Sequence, residues 1–491
     1  MFVKYKKWEP KYVQAILFVL TFTLFLIWLW PQQSMINISS DAEDIWRTIS
    51  TYYSGEIYPS YVLYKGFMAV YPYVWLYQLA QFFGTNEFLF VMIYHAILFA
   101  YISTVGVPKI VHHFFKWSPG ILPRVLFVCV VFVAWRPTYA LNQVMVDLPS
   151  CAVFILTVNC AVKTESENRT RKFIYVGLTG LLCSLGTVIS GQYSVAMVCV
   201  MLYVLTKMRP LKCLRERTRR LELCCCLAFF LLAYMCPVLC RVMFEKNVVQ
   251  PMRDAGATSI VSANMWLERG LIYMMNNSRL LSGTRMSCPR GFSILTAIYG
   301  SPENALGVWE LAGQGGFGWT IRDWFSVFAR YPVDMLCMMF DKAFIAVSVD
   351  LQRNSLAMLV ASYTALYISL YQLVMAKTVK RIFSANTWLV LGIVATIAPL
   401  LVLSVEMRCA ISIQAMIFGS ALLGPTLPSL GRSIKNGVGQ CIREKSLSSL
   451  KGKNFPWAVA LCVLFVACCV VHMGGLYAQS DWGVGMLFRW F

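Results

Sequence analysis

Long runs of apolar residues alternate with short basic stretches along most of this chain. Runs such as 12–30, 223–240 and 456–473 are long enough to cross about 30 Å of hydrocarbon as single helices. The pattern predicts an all-α, multi-pass integral membrane protein with about eleven transmembrane helices. Their expected starts lie near residues 12, 87, 121, 148, 173, 193, 223, 355, 387, 410 and 456.

The overall composition agrees with this pattern. The chain is 58% hydrophobic and 13% charged, with a mean hydropathy of +0.62, whereas a soluble domain carries about 25% charged residues. The net charge of +20 does not indicate a nucleic-acid partner, because most Lys and Arg fall in short loops, as they do on the cytoplasmic side of membrane proteins. The 18 cysteines lie mostly in or beside apolar runs, which is neither a disulfide framework nor metal-ligand spacing.

The basic stretches also predict a topology. Placing all of them, including the N-terminus, in the cytoplasm requires one apolar segment that does not cross the membrane. Residues 66–83 suit that role because they are rich in Tyr and Trp and contain Pro72, features that favour the membrane interface. We therefore expect interfacial helices in the first external loop.

Three regions follow from this topology. Residues 1–245 form a transmembrane module whose first external loop spans 31–86. Residues 246–352 form an extracytoplasmic loop region with interfacial helices. Residues 353–491 supply the last transmembrane helices.

The first external loop contains three neighbouring carboxylates, Asp41, Glu43 and Asp44. Carboxylates this close to a low-dielectric membrane repel one another, so such a cluster often faces a cation, a proton or a developing charge. A structural interpretation stays open beside the functional one. If a helix begins here, with Ser40 or Asp41 as its N-cap, the acidic residues complement the helix dipole.

Further charged residues lie at predicted external turns. Glu406 and Arg408 form either a simple interfacial pair or a site where a guanidinium meets a lipid phosphate. Arg136 and Asp147 bracket a short hairpin, and Asp147 either begins a helix or faces the same cavity as the acidic cluster. Most external basic residues are arginines, which suit bidentate phosphate binding or simply a solvated surface.

Three segments carry a resemblance to a known class of enzymes: DAEDIW at 41–46, YKGF at 64–67 and FGTNEF at 83–88. Their order resembles that in GT-C membrane glycosyltransferases, such as bacterial aminoarabinose transferases acting on lipid A and protein O-mannosyltransferases. Those enzymes have an Asp-Glu-x-x-Tyr-like motif in the first external loop, then interfacial helices and a Gly-x-x-Glu-Phe segment. The turn at 406–408 is similar to a late Glu-x-Arg turn in many relatives.

The resemblance implies a glycosyltransferase that moves a sugar from a polyprenyl-phosphate donor to a lipid, polymer or protein acceptor. The reaction would take place at the extracytoplasmic face of a bacterial plasma membrane. It implies Asp41 as the general base, with Asp44 as second choice, because Asp and Glu do not stand next to each other in the family's order here. Glu43 would orient the acceptor, or Asp41, Glu43 and Asp44 would hold a divalent cation. No other cofactor is implied.

The leaving group of such a reaction is a lipid phosphate, whose charge needs basic residues. The residues expected to bind the donor phosphate or substrate are Lys65, Arg136, Asp147, Arg253, Arg269, Arg279, Arg285, Glu406 and Arg408. Surrounding membrane lipids are the other expected partners. The alternatives are a transporter or flippase for a lipid-linked glycan and a glycan polymerase or ligase. A transporter would need ionisable residues at mid-membrane, and the predicted spans contain few.

Overall fold

The structure is a computed structural model of the chain. It describes residues 11–32, 35, 40–52, 66–136, 140–165, 168–208, 217–254, 321–330, 332–348, 356–375, 386–402, 407–426 and 455–479.

The described residues are helical and include no strand, which confirms the all-α fold class. The helices are α1 (Lys11–Leu29), α2 (Ser40–Tyr52), α3 (Phe67–Phe83), α4 (Leu89–Ala100), α5 (Val107–Phe115), α6 (Ile121–Trp135), α7 (Asp147–Lys163), α8 (Arg169–Ile189), α9 (Ser194–Met208), α10 (Arg217–Phe244), α11 (Gln250–Asp254), α12 (Ile321–Arg330), α13 (Pro332–Val347), α14 (Leu356–Met375), α15 (Thr387–Ala395), α16 (Ala398–Val402), α17 (Ile411–Leu423) and α18 (Phe455–Gln479). A π-helical segment, Tyr101–Gly106, joins α4 to α5.

Within the described part of the chain, 6 segments are long and apolar enough to cross a membrane. They are Tyr12–Gln32, Leu89–Phe115, Arg169–Ile189, Gly191–Met208, Arg220–Val249 and Leu356–Leu373. Each coincides with a predicted span. The predicted spans near 121, 148, 387 and 410 are also helical, but they are shorter or interrupted. The one near 456 corresponds to α18, whose apolar part Val459–His472 is shorter than the six segments above. A membrane protein with several spanning helices is therefore confirmed, and the count of about eleven stays a prediction.

Helix α7 is the centre of the bundle. Most of its residues are buried, and it packs against α4, α5, α8, α9 and α17. Since it touches protein on all sides, its sequence is less apolar than that of a lipid-facing helix: Ser150, Thr157 and Asn159 are all buried in it. The first residue of this helix is Asp147, so a carboxylate begins one of the most enclosed helices of the described bundle.

Small residues allow close contact between neighbouring helices, as is common in membrane bundles. A Cβ atom at Gly106 would lie 2.5 Å from Ile155 Cγ2, and one at Gly180 would lie 2.5 Å from the Phe230 carbonyl oxygen. The first contact brings the π-helical segment against α7, and the second brings α8 against α10. A larger residue at either position would not fit between the packed helical segments, so both positions require glycine.

Helix α3 corresponds to the segment predicted not to cross the membrane. It lies between two glycines of positive φ, Gly66 at 83° and Gly84 at 61°, and it is not among the candidate spans found in the described residues. One face is buried, while Phe82 on another is 83% exposed. An aromatic exposed face suits the membrane interface, where the location of α3 stays a prediction.

The second loop region is partly described. Helix α12 is strongly amphipathic, with Trp324 buried and Phe325 exposed, and α13 follows it directly. These helices lie in the region 246–352, where interfacial helices are expected. Their position on a membrane surface stays a prediction.

The contacts define two ends of the bundle. At the Arg408 end, the start of α7 meets the ends of α1 and α15 and the starts of α9 and α17, through contacts of Gln32, Asn142, Asp147, Gln192, Thr396 and Arg408. At the Lys207 end, the described parts of three basic stretches meet, namely 109–116, 163–165 with 168–172, and 207–208 with 217–220. They meet through contacts of His113, Glu165, Lys172, Lys207, Glu222 and Asn386. Which end faces the cytoplasm stays a prediction.

Candidate functional site

The structure brings together two predicted site residues that are far apart in sequence, Asp147 and Arg408. Arg408 Nε lies 3.8 Å from Asp147 Oδ2, and the two side chains are only 16% and 11% exposed. Cys409 donates its thiol hydrogen to the other carboxylate oxygen at 3.4 Å, and Met145 lies against the guanidinium with its thioether sulfur. The result is a largely buried ion pair at the Arg408 end.

The turn that carries Arg408 is held by the start of α9. The side-chain amide nitrogen of Gln192 donates to two backbone carbonyl oxygens, that of Cys409 at 2.5 Å and that of Thr396 at 3.2 Å. The hydroxyl groups of Tyr193 and Ser412 are 2.6 Å apart. One glutamine therefore joins the turn Met407–Ala410 to the end of the preceding span, which fixes Arg408 over α7.

The segment leading to Asp147 is held by a buried pair, Tyr73 and His95. The Tyr73 hydroxyl donates to the Met145 carbonyl at 2.5 Å and lies 3.0 Å from His95 Nε2. His95 Nδ1 lies 3.0 Å from the carbonyl oxygen of Leu141. A carbonyl can only accept, so Nδ1 carries the hydrogen. This pair links α3 and α4 to both ends of the segment 141–145.

The same segment is tied to the end of α1. The Asn142 amide donates to the Gln32 side chain at 2.9 Å, and the Val144 backbone donates to the Met35 carbonyl at 3.0 Å. Residue 35 precedes the start of α2 by a few residues. The start of the acidic helix and the Asp147–Arg408 pair therefore belong to the same end of the bundle.

Several polar atoms near this pair are buried without a hydrogen-bond partner among the described residues. They are Asn142 Oδ1, both amide atoms of Gln143, and the Ser150 hydroxyl. Gln143 is only 1% exposed. A buried polar group without a partner costs about 1–3 kcal/mol, so such a group needs an explanation, and a polar ligand is one. Ser150 stands one turn after Asp147 and so shares its face of α7.

Helix α2 contains the predicted catalytic residues in its first turn. It is amphipathic and buries Ala42, Ile45, Trp46 and Ile49, and the Trp46 ring stacks on Phe88 with ring centroids 4.3 Å apart. This packing fixes the helix against the start of α4. The start of α2 at Ser40 places the carboxylates where the helix-dipole interpretation also expects them.

The carboxylates of α2 have different neighbours. Glu43 forms an ion pair with Arg47 at 2.5 Å on the exposed face. Asp44 is partly buried and precedes the buried Thr48 by one turn, with the Thr48 hydroxyl donating to the Asp44 carbonyl at 2.7 Å. Asp44 therefore borders the packed side of the helix, whereas Glu43 lies toward the exposed side. The Asp41 side chain is outside the described residues.

The divalent cation predicted at these carboxylates stays open. No group of three potential metal ligands occurs among the residues that the structure describes. Consecutive residues on a helix point about 100° apart, so Glu43 and Asp44 do not converge on one point. A cation at this helix would be held by Asp44 and a residue one turn away, without Glu43.

The other predicted phosphate-binding residues are distributed differently. Arg136 is exposed at the end of α6 and has no ion pair among the described residues. Arg253 forms an ion pair with Glu245 at 2.7 Å, so its charge is already neutralised. The remaining predictions lie outside the described residues, namely Lys65, Arg269, Arg279, Arg285 and Glu406.

Sequence reasoning missed the residues that position the pair, above all Tyr73, His95, Gln143 and Gln192. One of them had a recognisable signal. His95 is an ionisable residue within an otherwise apolar span, and such residues usually have a functional or structural partner. The others look ordinary in the sequence, because their role depends on contacts between distant segments.

No family model, no curated protein and no solved structure matches this chain. What the site does is therefore argued from its own residues.

Proposed function

We propose that this chain is a membrane glycosyltransferase that transfers a sugar from a polyprenyl-phosphate donor to an acceptor hydroxyl. The observation that carries the proposal is the Asp147–Arg408 pair, at the same end of the bundle as the acidic helix α2. A base and a phosphate-binding cation are the two groups that such a reaction needs. The sequence resemblance at 41–46, 64–67 and 83–88 supports the same class.

Arg408 is the proposed ligand of the donor phosphate. Its distance of 3.8 Å from Asp147 is longer than the roughly 2.7–2.9 Å of a charge-assisted hydrogen bond. The carboxylate therefore orients the guanidinium without a tight hydrogen bond at this atom. A phosphate would bind more strongly than the Met145 thioether, because sulfur is a weak acceptor.

The proposed base is Asp41 or Asp44. The base takes the proton of the acceptor hydroxyl as its oxygen attacks the anomeric carbon, and the bond to the phosphate oxygen breaks. Polyprenyl phosphate leaves with the negative charge, which Arg408 stabilises. One direct displacement inverts the anomeric carbon. Gln143 and Ser150, buried and without partners among the described residues, are proposed to bind sugar hydroxyls.

A lipid-linked glycan transporter is the second candidate, because His95 is fully buried within a candidate span and ionisable residues there often serve transport. In the structure, however, both ring nitrogens of His95 have hydrogen-bond partners. A positioning role therefore accounts for His95 without transport.

A topology map and a pair of variants test the proposal. Reporter fusions are expected to place α2 on the extracytoplasmic side, and a cytoplasmic α2 would end the glycosyltransferase interpretation. Replacement of Asp41 or Asp44 by Asn should abolish transfer for one of them and leave expression and folding intact. Glu43→Gln is the matched control, because Glu43 already pairs with Arg47. Full activity in both Asp variants would remove the proposed base.

A further inference from the structure

Among the described residues, the Lys207 end of the bundle has more basic than acidic side chains. Helices α5, α7 and α9 bring Lys109, His113, Lys163 and Lys207 to this end. Glu165 is the carboxylate described beside them, and its Oε1 atom already has two partners. Lys207 Nζ lies 2.5 Å from it, and the Tyr203 hydroxyl donates to it at 2.8 Å.

Two of these lysines stand along a close contact between two helical segments. The π-helical segment meets α7 where Gly106 faces Ile155, and the Asn159 amide donates to the Gly106 carbonyl at 3.2 Å. Lys109 stands one turn after Gly106, and Lys163 one turn after Asn159, so both extend this seam. Because α5 packs against α7 along this seam, the two lysines stand on adjacent helices, where like charges repel each other.

No carboxylate among the described residues lies within ion-pair distance of either lysine. Lys163 instead lies over the Tyr175 ring, with its ammonium 4.8 Å from the ring centroid, and Lys109 is partly buried. Like charges held near each other at a partly buried position are destabilising. An anion from outside the chain that binds between the two ammonium groups would relieve this repulsion.

We propose that Lys109 and Lys163 form a binding site for a phosphate anion, supplied by the headgroup of an anionic membrane lipid. Lys163 is the last residue of α7, and Lys109 lies in the first turn of α5, the helix packed against it. Anionic headgroups bind basic pockets between transmembrane helices. The Tyr175 ring offers an apolar wall for the lipid beside the lysines. The site is at the opposite end of α7 from Asp147, so it is separate from the proposed reaction.

The test measures thermal unfolding of the full-length protein in nanodiscs. Discs of phosphatidylcholine are compared with discs that also contain phosphatidylglycerol, and inorganic phosphate is added to the neutral discs in a third arm. A ligand that binds only the folded state raises the unfolding temperature. We expect phosphatidylglycerol to raise it for the wild type, and the Lys109→Gln/Lys163→Gln variant to lose about half or more of that rise.

Lys172→Gln is the matched control, because Lys172 is at the same end but pairs with Glu222 at 2.9 Å. It should keep the full rise. An equal rise with inorganic phosphate would support the same site with a free anion as ligand. A full rise in the double variant, or an equal loss in the control, would overturn the proposal. If the double variant does not fold, the single variant Lys163→Gln is used, since Lys163 is exposed. Native mass spectrometry should then find fewer phosphatidylglycerol molecules bound to this variant than to the wild type. An unchanged number would overturn the proposal.

Discussion

The hydroxyl of Tyr73 offers the sharpest test of how the site is positioned. Tyr73→Phe removes one oxygen and leaves the ring in place. That oxygen donates to the Met145 carbonyl and contacts His95 Nε2, and both Tyr73 and His95 are fully buried. The change therefore leaves a carbonyl and a ring nitrogen without this partner in a dry part of the protein.

The expected cost follows from these two contacts. The hydroxyl has one hydrogen to donate, so it makes one hydrogen bond worth about 1 kcal/mol net, and the buried groups left without it add to that cost. We expect the free energy of unfolding to fall by about 2–3 kcal/mol, close to a hundredfold change in the folding equilibrium constant. Because Met145 is two residues before Asp147, we also expect the transfer rate to fall more than substrate binding.

Reversible unfolding in mixed micelles measures the first effect, and Tyr94→Phe is the matched control. Tyr94 lies beside Tyr73, with ring centroids 6.0 Å apart, but its hydroxyl makes no hydrogen bond among the described residues. Equal unfolding free energies for the two variants would refute the positioning role of Tyr73. If Tyr73→Phe lowers the unfolding free energy but leaves the transfer rate unchanged, Tyr73 stabilises the fold without positioning the site.

Three further predictions concern other parts of the bundle. Gln143→Met should leave the unfolding free energy unchanged or raise it by about 1 kcal/mol, because it removes a buried unpaired amide. Transfer assays should show a loss of sugar binding in the same variant. A large loss of stability would contradict the prediction. Gly106→Ala should lower the unfolding free energy by about 1–3 kcal/mol through its clash with Ile155, and the cost should shrink in an Ile155→Ala background; independent costs would contradict the close contact. Burial alone would raise the pKa of Glu165, but its hydrogen bonds with Lys207 and Tyr203 and the Lys207 charge lower it overall. Stability from this carboxylate is therefore present above the ordinary value of 4.5 and lost as the pH falls through the lowered pKa. Acid titration of unfolding should be less steep for Glu165→Gln, and identical curves would contradict it.

The sequence predicts the helices well because their signal is local. Apolar length alone identifies spans such as Tyr12–Gln32 and Arg169–Ile189, and the aromatic composition of 66–83 sets α3 apart from them. Helix α7 carries a weaker signal. Its buried polar residues lower its hydropathy, because it is surrounded by protein and not by lipid.

The site could be predicted only in part. Asp147 and Arg408 are recognisable as charged residues at span boundaries, but nothing in the local pattern says that they meet. That contact depends on Gln192, Tyr73 and His95, whose partners are backbone carbonyls of distant segments. Hydrogen bonds to backbone carbonyls place no demand on the partner's residue type, so the sequence carries no trace of them.

Donor consumption tests the central claim most directly, and it does not require the acceptor to be known. The wild type, reconstituted in liposomes with membranes that lack this protein as the source of acceptors, is given a panel of polyprenyl-phosphate sugars. We expect release of free polyprenyl phosphate from at least one donor, and a rate lower by about 100-fold or more when Asp41 and Asp44 are both replaced by Asn. Release no faster than in liposomes without the protein, or equally fast with both aspartates replaced, would contradict the account.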